Sequence, residues 1–128
     1  MNAVSVPAKP IIPFHWGLPS DSSARKQHPI VTGFLDYFPA TAAGVAFVSW
    51  AGNQKHNHGQ ALHWARGKST DQEDCIGRHT VERGDVEYLE TADAIYEIPH
   101  SMARAWRACA AAQLEAEANG APVARGAK

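Results

Sequence analysis

A chain of 128 residues has room for one domain, and 45% hydrophobic residues suffice for one modest core. Its 12 basic and 13 acidic residues leave a formal net charge of −1, which excludes a protein that grips a nucleic-acid backbone or an anionic membrane through its overall field. Any phosphate it binds is bound locally. The two cysteines, Cys75 and Cys109, lie far apart among helix-forming residues, with neither zinc-site pairing nor disulfide density; this points to a reducing, cytoplasmic setting.

Residues 1–30 carry five of the eight prolines. Pro7, Pro10 and Pro13 interrupt every apolar run, so the segment predicts an extended arm rather than a signal or anchor. No window approaches the apolar length of a membrane helix, and the expectation is a soluble protein. From Pro39, the small and apolar residues Ala40, Ala43, Gly44, Phe47 and Ala51 follow a helical stripe, with Gly52 as the expected stop. Residues 53–68, NQKHNHGQALHWARGK, lack a period and predict a long functional loop.

Ser69 with Gln72, or Thr70 with Glu73, gives a capping-box spacing, and Gly84 a stop, which predicts a helix over 70–83. Residues 85–98 place Val86, Leu89, Ala92 and Ile95 or Tyr96 at helical spacing and read as a short helix or an irregular connection. From Pro99 the run HSMARAWRACAAAQLEAEA is dense in helix formers and ends at Asn119-Gly120. Residues 120–128 are small and basic and predict a disordered tail. The chain thus divides into an arm (1–30), an all-α domain (31–119) and a tail (120–128).

Several groups of residues invite chemistry. Asp74, Arg78 and Glu82 at i, i+4 and i+8 share a helix face with His79 beside them, and carboxylates on a rigid helix offer the hard oxygens that a polyphosphate-handling metal needs. A salt-bridge ladder explains the same spacing. Glu90, Asp93 and Glu97 would line a second helical face and could meet the first across a bundle, or form a solvated acidic face. The loop after the first helix, with Asn53, Lys55, His56, Asn57 and His58, offers donors to phosphate oxygens. The literal HNH string at 56–58 lacks a nuclease's strands and basic surface, and zinc binding by His56, His58 and His63 lacks a cysteine partner. His100 and Arg104 at i, i+4 open the last helix, where its N-terminus favours an anion.

In order, the strings GNQKHNHG, LHWARGKSTDQEDCIGRH, the Glu-x-x-Asp at Glu90 and Asp93, and PHSMARAWRACAAAQ resemble the phage and bacterial dATP/dGTP diphosphohydrolases. That family looks like a branch of the MazG-like all-α nucleotide pyrophosphohydrolases, and the nearest resemblance is to MazZ-type enzymes that consume dGTP. The matching positions are Gly52, Lys55, His56 in the aromatic place, Trp64, Asp74, Arg78, His79, Glu90, Asp93 and His100, within residues 28–117.

The resemblance implies a MazG-like helical bundle completed by homo-oligomerisation, a dimer or tetramer. It also implies hydrolysis of a purine dNTP, dGTP or dATP, to the monophosphate and pyrophosphate in the cytoplasm, the host's if the chain is phage-encoded, with no nucleic-acid or membrane partner. Two or three Mg²⁺ or Mn²⁺ ions would sit on Asp74, Glu82, Glu90 and Asp93. Lys55 and Arg78, with His79, would act on the phosphates and water, while Asn53, Lys55, His56, Trp64, His100 and Arg104 would hold substrate. The alternative is a non-enzymatic helical interaction module.

Overall fold

The computed structural model describes residues 8–127. The first seven residues of the expected arm, and Lys128 of the expected tail, lie outside the described residues. The protein is mainly helical, with one two-stranded sheet.

The arm from residue 8 is largely exposed and is interrupted by a single turn, α1 (Ser22–Arg25), whose first N–H groups are capped by Asp21: its Oδ2 accepts from the Ala24 amide at 3.0 Å. At Gly17, with φ of +86°, an added Cβ would stand 3.2 Å from Ala121 Cβ, so the arm lies against the end of the chain. A π-helical turn, Val31–Leu35, leads into α2 (Pro39–His56), with Pro39 in the first turn where its missing N–H costs nothing. The helix does not stop at Gly52. A glycine inside a helix costs only about 1 kcal/mol relative to alanine, and the ladder continues to Asn57, whose amide donates to the Asn53 carbonyl at 2.8 Å. The functional loop is therefore shorter than the expected 53–68 and contains a 3₁₀ turn at Arg66–Lys68.

Helix α3 (Gln72–Val81) is shorter than the expected 70–83, and no capping box forms: the Asp71 cap makes no side-chain bond to the helix amides, and Gln72 Nε2 donates instead to the Ser69 carbonyl at 3.2 Å. Gly84, with φ of +88°, turns the chain after α3.

The main correction concerns residues 85–98, which are neither helix nor irregular connection. They form an antiparallel hairpin, β1 (Val86–Glu90) and β2 (Ile95–Pro99). Its turn is closed by Thr91, whose amide donates to the Ala94 carbonyl at 2.9 Å while its Oγ1 accepts from the Ala94 amide at 3.1 Å. The all-α expectation thus holds only in the coarser form of a mainly helical fold. Partners across the hairpin share a face, so the pairs Glu87–Ile98 and Leu89–Tyr96 look one way, and Tyr88–Glu97 and Glu90–Ile95 the other. Ile98 is buried at 3% exposure, and Leu89 and Tyr96 pack beside it; Tyr88 and Ile95 are exposed.

Helix α4 (His100–Ala118) starts directly from β2, its first amide donating to the Asp85 carbonyl at 3.1 Å. It packs on α3 and α2. Small residues permit close approach: an added Cβ at Gly44 of α2 would meet Met102 Sδ at 2.5 Å. Ala51, Ile98 and Ala103 form the buried cluster where α2, the hairpin and α4 meet. After α4 the chain does not trail away freely. The Trp64 amide donates to the Gly126 carbonyl at 2.7 Å, and the Ala124 amide to Glu117 Oε2 at 3.1 Å. No helix among the described residues is long and apolar enough to cross a membrane.

Candidate functional site

The C-terminal half of α2, the loop after it, α3, the inner face of the hairpin and α4 enclose an open cleft of about 760 Å³. The extension of α2 past Gly52 shapes it. Gly52 lines the cleft, and an added Cβ there would meet nothing within 4 Å, so this part of the wall is open. The next residue, Asn53, is buried at 6% exposure and also lines the cleft. Its Nδ2 donates to the Gln60 carbonyl at 3.0 Å, but its Oδ1 is buried with no hydrogen-bond partner.

Trp64 and Trp106 meet edge to face in the cleft wall, their centroids 6.0 Å apart. Both rings are pinned. Trp106 Nε1 donates to Ser49 Oγ at 2.7 Å. Arg66 lies over the Trp64 ring at 4.7 Å while its guanidinium forks onto Glu117, with Nη2 to Oε2 at 3.0 Å. That fork, more than the Gln113 and Ala124 hydrogen bonds, lowers the Glu117 carboxyl to about 2.

Arg107, two turns along α4 from His100, also faces the cleft. Its Nη1 donates to Ser69 Oγ at 2.8 Å and Gln72 Oε1 at 3.2 Å, which fixes the guanidinium while leaving it further donors. Lys68 and His56 stand on the same lining. His56 is held below its ordinary 6.5 by burial and then by the charges of Lys55 and Lys68, which favours a neutral ring near neutral pH.

The cleft also carries His79 of α3 and Glu87 of β1, with His100 of α4 against them. One ligand atom from each lies within 4.8 Å of the others. The two imidazoles meet Nδ1 to Nδ1 at 2.8 Å, and Glu82 Oε2 stands 3.7 Å from Nε2 of His100, which is itself only 3% exposed. Burial is the main cause lowering His79 below its ordinary value; Glu87 opposes it, while His100 and Arg107 push the same way. His79 and Glu87 line the cleft; His100 buttresses them from behind.

Of the residues singled out from the sequence, Asn53, His56, Asn57, His63, Trp64 and His79 line the cleft, and His100 joins them through His79. Lys55, Arg78 and Arg104 do not line it. Lys55 is exposed at the end of α2, and Arg78 pairs with Asp71 at 3.1 Å rather than with Asp74 or Glu82. The four expected metal carboxylates do not assemble: no three of Asp74, Glu82, Glu90 and Asp93 converge, and the set that does converge among the described residues is His79, Glu87 and His100. Strand geometry is the reason. Glu90 is on the outer face of the hairpin and Asp93 at its turn, where it meets His58 at 3.5 Å. His56, His58 and His63 likewise form no three-ligand group.

Sequence reasoning does not mark Glu87, Lys68, Gln72 or Arg107 as site residues. The available signals were the i, i+7 spacing of His100 and Arg107, which puts both on one helix face, and the same spacing of Gln72 and His79. Comparison with family models, curated proteins and solved structures finds nothing that matches the chain.

Proposed function

We propose that the protein is a metal-dependent nucleoside triphosphate pyrophosphohydrolase that converts a purine dNTP, dGTP or dATP, to the monophosphate and pyrophosphate. The observation that carries this reading is the lining of the cleft: two indoles beside an unpaired amide oxygen, two cations, and an imidazole–carboxylate wall. Its volume is in the range of small-molecule sites.

The roles follow from the chemistry of each group. Trp64 and Trp106 offer π surface to a base. Asn53 Oδ1 lacks a donor, and the exocyclic amino or ring N–H of a purine supplies one; an unpaired buried acceptor costs about 1–3 kcal/mol, which binding of that donor recovers. Arg107 is positioned by Ser69 and Gln72 before substrate arrives and, with Lys68, offsets the negative charge of the polyphosphate. His79 and Glu87 mark the reacting end. The carboxylates Asp74, Glu82, Glu90 and Asp93 do not fit the expected cage for Mg²⁺ or Mn²⁺ within one chain, and no step is routed through them.

The reading includes self-association. The chain exposes 9538 Å², against about 6,600 Å² for a compact monomer of its mass. The extended arm accounts for part of the excess; an aromatic face accounts for more. Phe47 and Trp50 of α2 are each 41% exposed and meet Tyr96 of the hairpin edge to face. A second copy seated there buries this face and supplies the core that one chain lacks. The same face favours the alternative of a helical module that binds a different protein. Both cysteines are free, in keeping with a reducing cytoplasm. Incubation with Mg²⁺ or Mn²⁺ and each nucleoside triphosphate tests the enzymatic reading: monophosphate and pyrophosphate are expected, and intact triphosphates under every condition overturn it.

A further inference from the structure

We propose that His79, Glu87 and His100 form a mononuclear site for a borderline divalent transition metal, of the class of Co²⁺ and Zn²⁺, which discriminates against Mg²⁺. The three ligands come from three different elements, α3, β1 and α4, that meet only in the folded chain. Two ligand atoms bound to one ion at about 2.0–2.2 Å are separated by about 3.3–3.6 Å at a tetrahedral angle and by an edge of about 2.8–3.1 Å at an octahedral one. The imidazole nitrogens already stand close to that edge length, at 2.8 Å. The set lies within 4.8 Å, so a small rotation of Glu87 brings its oxygen onto a shared ion.

The second ring nitrogen of His100 supports the assignment. Metal-bound histidines commonly turn their other nitrogen toward a carboxylate, which fixes the tautomer and raises the basicity of the ligating atom. Here Nε2 of His100 faces Glu82 Oε2 at 3.7 Å while Nδ1 faces the site. Glu82, expected from the sequence as a metal ligand, thus stands behind the His100 ring as a nearby carboxylate that orients it. Two imidazoles and one carboxylate suit borderline transition ions, whereas Mg²⁺ prefers an all-oxygen octahedron. Three protein ligands leave further positions open, and because His79 and Glu87 line the cleft, those positions face it. The site would thus be accessible to oxygen ligands, including phosphate.

The assignment stands apart from the nucleotide reading, because metal binding without nucleotide tests it and pyrophosphate release tests the other. Full-length protein stripped with chelator and dialysed is titrated with Co²⁺, following the visible bands of nitrogen-ligated cobalt and the bound metal per chain by mass spectrometry. Expected are one Co²⁺ per chain, displacement by Zn²⁺, and no displacement by millimolar Mg²⁺. Glu87→Gln and His79→Gln abolish the bands, Glu82→Gln weakens binding by about 10–100-fold, and the outer-face pair Glu90→Gln, Asp93→Asn retains full binding. A His58→Ala, His63→Ala variant also retains it. Metal-free circular dichroism melts establish that each variant is folded. Absence of Co²⁺ binding by folded wild type, binding unchanged in Glu87→Gln and His79→Gln, or loss of binding in the Glu90, Asp93 or His58, His63 variants overturns the proposal.

Discussion

Glu87 stands opposite Ile98 across the hairpin, and both belong to the face turned toward the helices. The alternation of the strand therefore sends Glu87 to the cleft and Glu90, an odd number of positions along, to the outside. Glu87→Gln is expected to lower kcat/KM on the order of 100-fold or more, as removal of a group that acts at the reacting centre does. Glu90→Gln changes it less than about twofold, since exposed substitutions act weakly. Parallel steady-state assays of pyrophosphate release, with melting curves for folding, check the contrast.

Asn53 carries two opposed contributions. Its Nδ2 bond to the Gln60 carbonyl stabilises the fold, while its orphaned Oδ1 opposes it. Asn53→Ala removes both, so stability is expected to change by no more than about 1 kcal/mol. Nucleotide affinity should nevertheless fall at least about tenfold, or about 1.4 kcal/mol, with the loss larger for purines than for pyrimidines. Urea unfolding and calorimetric titration with a non-hydrolysable dNTP separate these effects.

The Arg66–Glu117 fork holds the loop bearing Trp64 to α4 and sets an acid limit on that contact. Glu117 titrates at about 2 in the fold and at 4.5 ordinarily. Because the folded value is depressed, the stabilisation is complete above the ordinary value and is lost as pH falls from 4.5 toward 2. Glu117→Gln should flatten the dependence of the melting temperature on pH in that window, measured against wild type by calorimetry.

The aromatic face predicts assembly. Trp50→Lys places a charge beside Phe47 and Tyr96, so a face that joins two copies comes apart. Light scattering on the size-separated protein should show at least twice the 13.8 kDa chain mass for wild type and a shift to the chain mass for the variant. Wild type at the chain mass alone contradicts the homo-oligomer and leaves the face for a different partner.

The helices were legible where local chemistry dominates: Pro39 opening α2, and the alanine-rich run behind Pro99 in α4. The hairpin was hidden because Val86, Leu89, Ala92 and Ile95 coincide with a helical period. The signal that would have revealed it was the β-branched and aromatic content of Val86, Tyr88, Ile95, Tyr96 and Ile98 around a Thr-Ala-Asp-Ala turn. That misreading put Glu90 and Asp93 on one helical face, to which the resemblance assigned metal, and left out Glu87. His79 and His100 were visible in the motifs that carry them, but their meeting at 2.8 Å depends on how α3 packs on α4, which no local spacing encodes. The contact of Gly126 with Trp64 is likewise a tertiary event that a composition-based expectation of disorder misses.

The most direct test of the nucleotide assignment is chromatographic product analysis after incubation of wild type and Arg107→Gln with Mn²⁺, Mg²⁺ or Co²⁺ and each dNTP and rNTP. The account predicts monophosphate and pyrophosphate in equal amounts from dGTP or dATP with wild type, and at least a tenfold lower kcat/KM with Arg107→Gln, whose charge at the cleft wall is gone. Triphosphates left intact by wild type under every metal, or hydrolysis unaffected by Arg107→Gln, would contradict it.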